Sequence, residues 1–164
     1  MQSNVTPLDP SKPPKERPEH PGEWSIRRII TALSKDIPDD MTQRLRDKGN
    51  AIYVPWHQCV RILNKYAPGW EFETDIHFSG DRIFVTGKLT IPASEGKFSR
   101  SAIGTEPLKR WKEGHWLERD GEKVWIEGAW VELAYGDPSS NAESMAFRRC
   151  CAKFGLGLYL YRKK

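Results

Sequence analysis

From Trp70 to Phe78 the chain alternates residue by residue, with Trp70, Phe72, Thr74, Ile76 and Phe78 on one side and Glu71, Glu73, Asp75 and His77 on the other. A two-residue period suits a half-buried strand and no helix, because successive side chains of a strand leave opposite faces. The residues that follow extend this strand into a sheet. Ser79-Gly80-Asp81 has turn composition, and Arg82 to Ile91 reads as a partner strand with Ile83, Val85, Leu89 and Ile91 on one face. The segment from Ala93 to Lys97 turns again, and Phe98 to Gly104 supplies a third strand. An antiparallel meander is therefore predicted, and the rest of the chain has to pack on it.

Helical patterns flank the meander. Ile26, Ile29, Ile30 and Leu33 fall at i, i+3, i+4 and i+7, and Pro38 closes that helix. Arg44 to Asn50 reads as a polar, basic connection. Pro55 suits the first turn of a second helix, where its missing N–H costs nothing, and Trp56, Cys59, Val60 and Leu63 give that helix an apolar face. After Gly136-Asp137-Pro138, the run Ser140-Asn141-Ala142-Glu143 has the form of a capping box, which predicts a helix from Asn141 to about Phe154, stopped by Gly155. On that helix Phe147, Cys151 and Phe154 share one arc, and Arg148, Arg149 and Lys153 lie opposite them. Residues 105–135 hold four of the seven tryptophans. Asp120-Gly121 is a hairpin turn between strand candidates Trp116–Glu118 and Lys123–Ile126, with a third candidate from Ala129 to Ala134. The fold class is α+β: a β-meander packed by a long basic C-terminal helix (a β-β-β-α core), with a preceding helix and a tryptophan-rich insertion.

At 164 residues this is one domain. Residues 1–22 are proline-rich and nearly free of apolar side chains, so they read as disordered; 23–161 form the core, and 162–164 a basic tail. No apolar run approaches the ~18–20 residues that span a bilayer, and no h-region marks a secretory signal, which points to a cytoplasmic protein. The three cysteines, two of them adjacent, fit core thiols and neither a disulfide framework nor a zinc site. No histidine sits in a nucleophile or metal motif, no phosphate-binding GxxxxGK[ST] loop occurs, and the carboxylates are scattered. A non-enzymatic protein without metal or cofactor is expected.

The charge is more informative. The net charge is +4, and from Asn141 to Lys164 six basic residues face one acid, Glu143. Such an excess suits a polyanion, since phosphate backbones reward basic stripes through charge pairing and counterion release. Arg148, Arg149 and Lys153 on the last helix are the leading candidates. Arg44, Arg46 and Lys48 add charge from the connection, and Arg82, Lys88 and Arg100 from the sheet. Trp111 and Trp116 lie in Lys/Arg-flanked sequence and are candidates for base stacking or for contact with a neighbouring subunit. Trp56 and Trp70, on apolar faces, are expected in the core. Two other readings of the same residues are a protein-interaction module whose basic helix binds an acidic partner, and a small metal-dependent nuclease.

Two segments carry a resemblance. The first is Tyr53-Val54-Pro55-Trp56-His57-Gln58-Cys59-Val60-Arg61-Ile62-Leu63-Asn64 with Pro68-Gly69-Trp70, and the second runs from Ala142 to Gly157, AESMAFRRCCAKFGLG. Both resemble the single-strand annealing protein superfamily, the Rad-type recombination mediators in their N-terminal domain, and within it the bacterial DNA damage response protein A of radiation-resistant bacteria. The resemblance spans roughly Asp39 to Leu160. It implies a closed homo-oligomeric ring, single-stranded DNA in a basic groove around it, protection of 3′ ends from exonucleases during DNA repair, and a nucleoid-associated location. Strand annealing is a further activity within what it implies. The family's groove cations fall on Arg148 and Arg149; a third falls on Ala152, with Lys153 one place later. A basic residue before the Tyr53 strand falls on Arg44 or Arg46, an outer-groove lysine falls on Arg82, and a later one falls near Lys109 or Arg110. The tryptophan-rich insertion has no counterpart. Relatives continue past the position of Leu160 into a flexible tail, which implies a longer natural chain.

Overall fold

The computed structural model describes residues 16–45, 49–132 and 137–161. In chain order the elements are α1 (Ile26–Leu33), a 3-10 turn (Asp39–Met41), β1 (Gln43–Leu45), β2 (Ala51–Tyr53), α2 (Trp56–Tyr66), β3 (Glu71–Ser79), β4 (Arg82–Ala93), β5 (Gly96–Pro107), β6 (Lys109–Lys112), β7 (His115–Arg119), β8 (Glu122–Ile126), β9 (Ala129–Glu132), α3 (Pro138–Lys153) and a closing 3-10 turn (Leu158–Tyr161).

The expected meander is present, antiparallel in the order β3-β4-β5. Phe72 faces Leu89 across the first pair, and Ala102 faces Gly87 across the second. Ile83, Val85, Leu89 and Ile91 alternate onto one face of β4 and are buried there. The three helices contribute to the core on that face, where Leu33, Leu63, Leu89, Cys151 and Phe154 are buried together. Phe147 of α3 fixes the helix on the sheet by meeting Phe72 edge-on at 4.9 Å and Trp70 at 5.6 Å between ring centroids. Gly104 on β5 allows the closest approach: a Cβ there would stand 1.8 Å from the carbonyl oxygen of Ala142, so α3 rests directly on the strand backbone.

The helix boundaries follow local chemistry. Ser25 caps α1, its hydroxyl accepting from the Arg28 N–H. The start of α3 differs from the expected capping box at Ser140-Asn141-Ala142-Glu143. Asp137 is the cap, its carboxylate accepting from the Ser139 N–H at 3.1 Å and from the Ser140 hydroxyl at 2.8 Å, and Pro138 opens the helix. A proline at the first helical position has its φ pre-set and no N–H to leave unpaired, so the helix begins before Asn141.

Four further expectations need correction. Arg44 to Asn50 is not a mere connection: Gln43–Leu45 and Ala51–Tyr53 form a two-stranded ladder pairing Gln43 with Tyr53 and Arg44 with Ile52. Trp56 is not a core residue but 54% exposed, because α2 turns Cys59 and Leu63 inward and leaves its first residue outside. The strand β3 is less covered than its alternation implied. Phe72 meets the helices, but Ile76 and Phe78 near the far end are 50% and 66% exposed, since α3 packs on β4 and β5. Finally, the segment called disordered packs in part: Pro18 is buried, and Pro21 lies against Gly69. Residues 1–15 and the tail 162–164 lie outside the described residues.

The tryptophan-rich segment is a hairpin arm. Its tip is Asp120-Gly121, with φ of 54° and 84°, the left-handed pair that a two-residue hairpin turn requires. The expected strands become β7 and β8, and Ala129–Glu132 returns to pair with Lys109–Lys112, a strand the sequence pattern did not reveal. Two cross-strand tryptophan pairs hold the arm, Trp111 with Trp130 at 5.8 Å and Trp116 with Trp125 at 5.3 Å, both edge-to-face.

Three buried free thiols complete the core. Cys150 donates to the Gly87 carbonyl at 3.3 Å. Burial pushes the Cys150 thiol up and the Cys151 thiol well up, the latter helped by Cys59 beside it.

Candidate nucleic-acid interface

β5 is an edge strand, so every second carbonyl points away from β4 with no strand to receive it. Cations take those places. Arg100 donates to the Ser99 carbonyl at 2.9 Å, Lys153 to that of Ser101 and Arg149 to that of Ile103. Three positive groups thus follow one strand at its two-residue repeat, ~6.8 Å. They come from both elements. Arg100 leaves β5 on the helix-covered face, its guanidinium 5.3 Å from the Phe154 ring centroid, while Arg149 and Lys153 reach across from α3. The edge is therefore guarded by Arg149 and Lys153 of α3 as well as by the strand's own Arg100.

Arg148 departs from its neighbours. It is half-buried, donates to the Ser144 carbonyl, and lies 4.8 Å from the Tyr53 ring centroid in a cation–π contact. The expected single cationic arc on α3 is thus split: Arg149 and Lys153 lean over β5, and Arg148 toward the β1–β2 ladder. Tyr53 is held in place by its hydroxyl, which donates to Gln43 at 2.7 Å. Arg44, paired with Ile52, alternates to the other face of that ladder. Arg46 and Lys48 lie outside the described residues.

The sheet cations do not form one groove with these. Arg82 and Lys88 leave β4 on the face opposite Ile83 and Leu89, whereas Arg100 pairs with Leu89 and leaves on the helix side. Lys88 is ion-paired with Glu73 at 2.9 Å, Lys109 with Asp81 at 3.3 Å, and Arg82 donates to Thr105 at 3.3 Å. Unlike Lys88 and Lys109, the residues Arg100, Arg148, Arg149 and Lys153 have no carboxylate partner among the described residues; Arg82 has none either, but lies on the other face of the sheet. This difference separates the candidates, because a polyanion gains most from positive charge that nothing else has neutralised. Arg110 is exposed at the base of the arm beside Trp111, which is 48% exposed; Trp116 nearer the tip is 65% exposed. Trp70 is half-buried, its indole N–H donating to Asn64 at 2.7 Å.

An open groove of about 710 Å³ runs beside the cation row, lined by Ser101, Ile103, Arg149, Lys153, Leu158 and Tyr161. Ile103, Leu158 and Tyr161 are at least half exposed in it. Charge flanked by apolar and aromatic surface suits a chain that presents phosphates and flat bases together. Tyr53, Leu158 and Tyr161 were not among the residues singled out by sequence. For Tyr53 a signal existed, an aromatic at the end of a short strand two residues before Pro55; for the closing turn there was none, since its position depends on how α3 docks. Among the described residues no cluster of three or more His, Cys, Asp or Glu could hold a metal ion, and no helix is long and apolar enough to cross a membrane.

No family model matches the chain. Two curated proteins of Arabidopsis thaliana do. The chain is 31% identical over 142 residues to the mitochondrial DNA repair RAD52-like protein 1, an alignment covering 84% of this chain and 68% of that protein. It is 33% identical over 141 residues to the chloroplastic DNA repair RAD52-like protein 2, covering 82% of this chain and 60% of that one.

Proposed function

Because the chain belongs to the family of RAD52-like DNA repair proteins, we propose that it binds single-stranded DNA along the α3–β5 edge and acts, without catalysis or cofactor, in DNA repair. The observation that carries this reading is the row of Arg100, Lys153 and Arg149 on successive outward carbonyls of one strand, with no carboxylate opposed to it. Cations in such a row read phosphates, which position a strand but carry no base identity, so binding tolerates most sequences. Arg148 with Tyr53 extends the path on the other side of α3, and Arg44, on the opposite face of the β1–β2 ladder, is a further contact, as are Arg46 and Lys48 on the grounds of sequence alone. Arg110 and Trp111 add a contact at the base of the arm. Lys88 and Lys109 are secondary contacts that have to exchange existing carboxylate partners, and Arg82 is secondary because it leaves the other face of the sheet.

The same reading places the protein with the bacterial DNA damage response protein A branch, on the two segments that begin at Tyr53 and Ala142. Its work there is the shielding of 3′ ends after radiation damage, with strand annealing as a related outcome, in the nucleoid region of the cytoplasm. It acts as a homo-oligomeric ring. Exposed Ile76 and Phe78 support this, because an apolar strand face left uncovered by its own helices invites a second copy.

Fluorescence anisotropy with single-stranded and duplex oligonucleotides of equal phosphate number, followed over a salt series, tests the binding. A 3′-exonuclease digestion tests the protection. Preference for single strands with slowed digestion is the expected result. Equal weak binding to both favours a module for an acidic protein partner, and digestion at the unprotected rate removes the end-shielding function.

A further inference from the structure

The arm beyond its base has a character unlike the rest of the chain. Between residues 113 and 128 it carries five carboxylates, Glu113, Glu118, Asp120, Glu122 and Glu127, against two cations, Arg119 and Lys123, a net charge of −3 on a chain whose total is +4. It is also apolar on both faces. Trp116 and Trp125 oppose each other on one face, 65% and 44% exposed, while Leu117 and Val124 oppose each other on the next pair, 47% and 44% exposed. Every residue of β7 and β8 is exposed. Isolated two-stranded hairpins are marginally stable in water, and one with apolar side chains on both faces gains most by entering another surface.

Single-stranded DNA fits this tip poorly, since its phosphates would meet the carboxylates. The complementary surface is on the same molecule type. The α3–β5 groove, about 710 Å³, joins the unneutralised charge of Arg149 and Lys153 to the exposed apolar surface of Ile103, Leu158 and Tyr161. We propose that the acidic, tryptophan-bearing arm tip docks in the α3–β5 groove of a second copy of this chain, and that single-stranded DNA displaces it. Carboxylates stand there where phosphates would, and indoles where bases would. The displacement rests on the reading of that groove as the nucleic-acid interface; the docking does not. The arm then acts as a gate on the groove, held between copies until a strand with more negative charge arrives, and docking weakens with salt as any such pairing does.

Disulfide capture between copies tests it. Protein with Leu117→Cys is mixed with protein carrying Leu158→Cys, and the hybrid disulfide is read on a non-reducing gel; the native thiols are buried. A hybrid band is expected, falling at least about fivefold when Glu118→Lys and Glu122→Lys reverse the tip, and restored when Arg149→Glu and Lys153→Glu are placed on the partner. No hybrid band, or one indifferent to the charge reversal, overturns the docking. An oligothymidylate is then added, with its affinity measured independently by anisotropy. Loss of the band as the oligonucleotide saturates supports the gate. Binding without loss of the band overturns the displacement. A protein that captures its partner but binds no oligonucleotide overturns the proposed function and leaves the docking intact. If the reversed tip lowers oligonucleotide affinity while the band persists, the arm is a DNA contact and the proposal fails.

Discussion

Removing Arg149 and Lys153 together tests the interface most directly, and its size follows from the geometry. Both side chains are exposed and bonded only to outward carbonyls of an edge strand, which water satisfies once they are gone. Neither has a carboxylate partner, so each contributes its full charge to a bound strand. A phosphate contact on single-stranded nucleic acid contributes about 0.7 to the slope of log K against log salt, hence about fivefold in affinity at 0.1 M salt. Arg149→Ala with Lys153→Ala should lower the slope by about 1.4 and weaken binding about 25-fold at that salt, or about 2 kcal/mol. Lys88→Ala is the internal control. Its ammonium is already paired with Glu73 and lies on the other face of the sheet, so its removal should change affinity by less than about twofold. Anisotropy titrations over a salt series read both quantities, with circular dichroism confirming the fold. An unchanged slope in the double variant, or a loss from Lys88→Ala as large, would refute the assignment of the edge.

Three further outcomes follow from the packing. Gly104→Ala forces a methyl to within 1.8 Å of the Ala142 carbonyl oxygen, so α3 has to shift; a loss of about 3 kcal/mol, or roughly 6–12 °C in Tm, is expected on thermal unfolding, and a loss below about 1 kcal/mol contradicts the close seat. Ser139 and Ser140 hold the Asp137 carboxyl below the usual range, so its folded pKa is lower than its unfolded one and its stabilisation is present at neutral pH and lost as pH falls through the folded value. The Tm gap between the parent and Asp137→Ala should therefore narrow on acidification; a gap that widens is inconsistent with the cap. Cys151 is buried with its thiol held well up, so a thiol reagent at mildly alkaline pH should label it only at the rate of unfolding, and immediate labelling of the native protein would show the site to be open.

The sequence by itself determined the strands and helices whose signal is local. The alternation through Phe78, the apolar arc of Phe147, Cys151 and Phe154, and the Asp120-Gly121 turn all express a period or a backbone requirement carried by neighbouring residues, and all three recur in the structure. The two segments that carried the family resemblance are equally local. What a pattern of one element cannot express is which partner its outer face meets. Arg100 and Arg149 are far apart in the chain and become neighbours only because Gly104 lets α3 rest on β5. Arg148, read as one of a set, is turned aside by Tyr53 on another strand. Lys88 looked equivalent to Arg100 until Glu73 was placed opposite it. Lys109–Lys112 showed no strand pattern, because its order comes from pairing with Ala129–Glu132 and not from its own alternation. Trp56 sits at the right helical spacing for the core and is left outside by the orientation of α2. Period is a property of contiguous residues, whereas free charge and exposure belong to pairs of elements, and only docking decides those pairs.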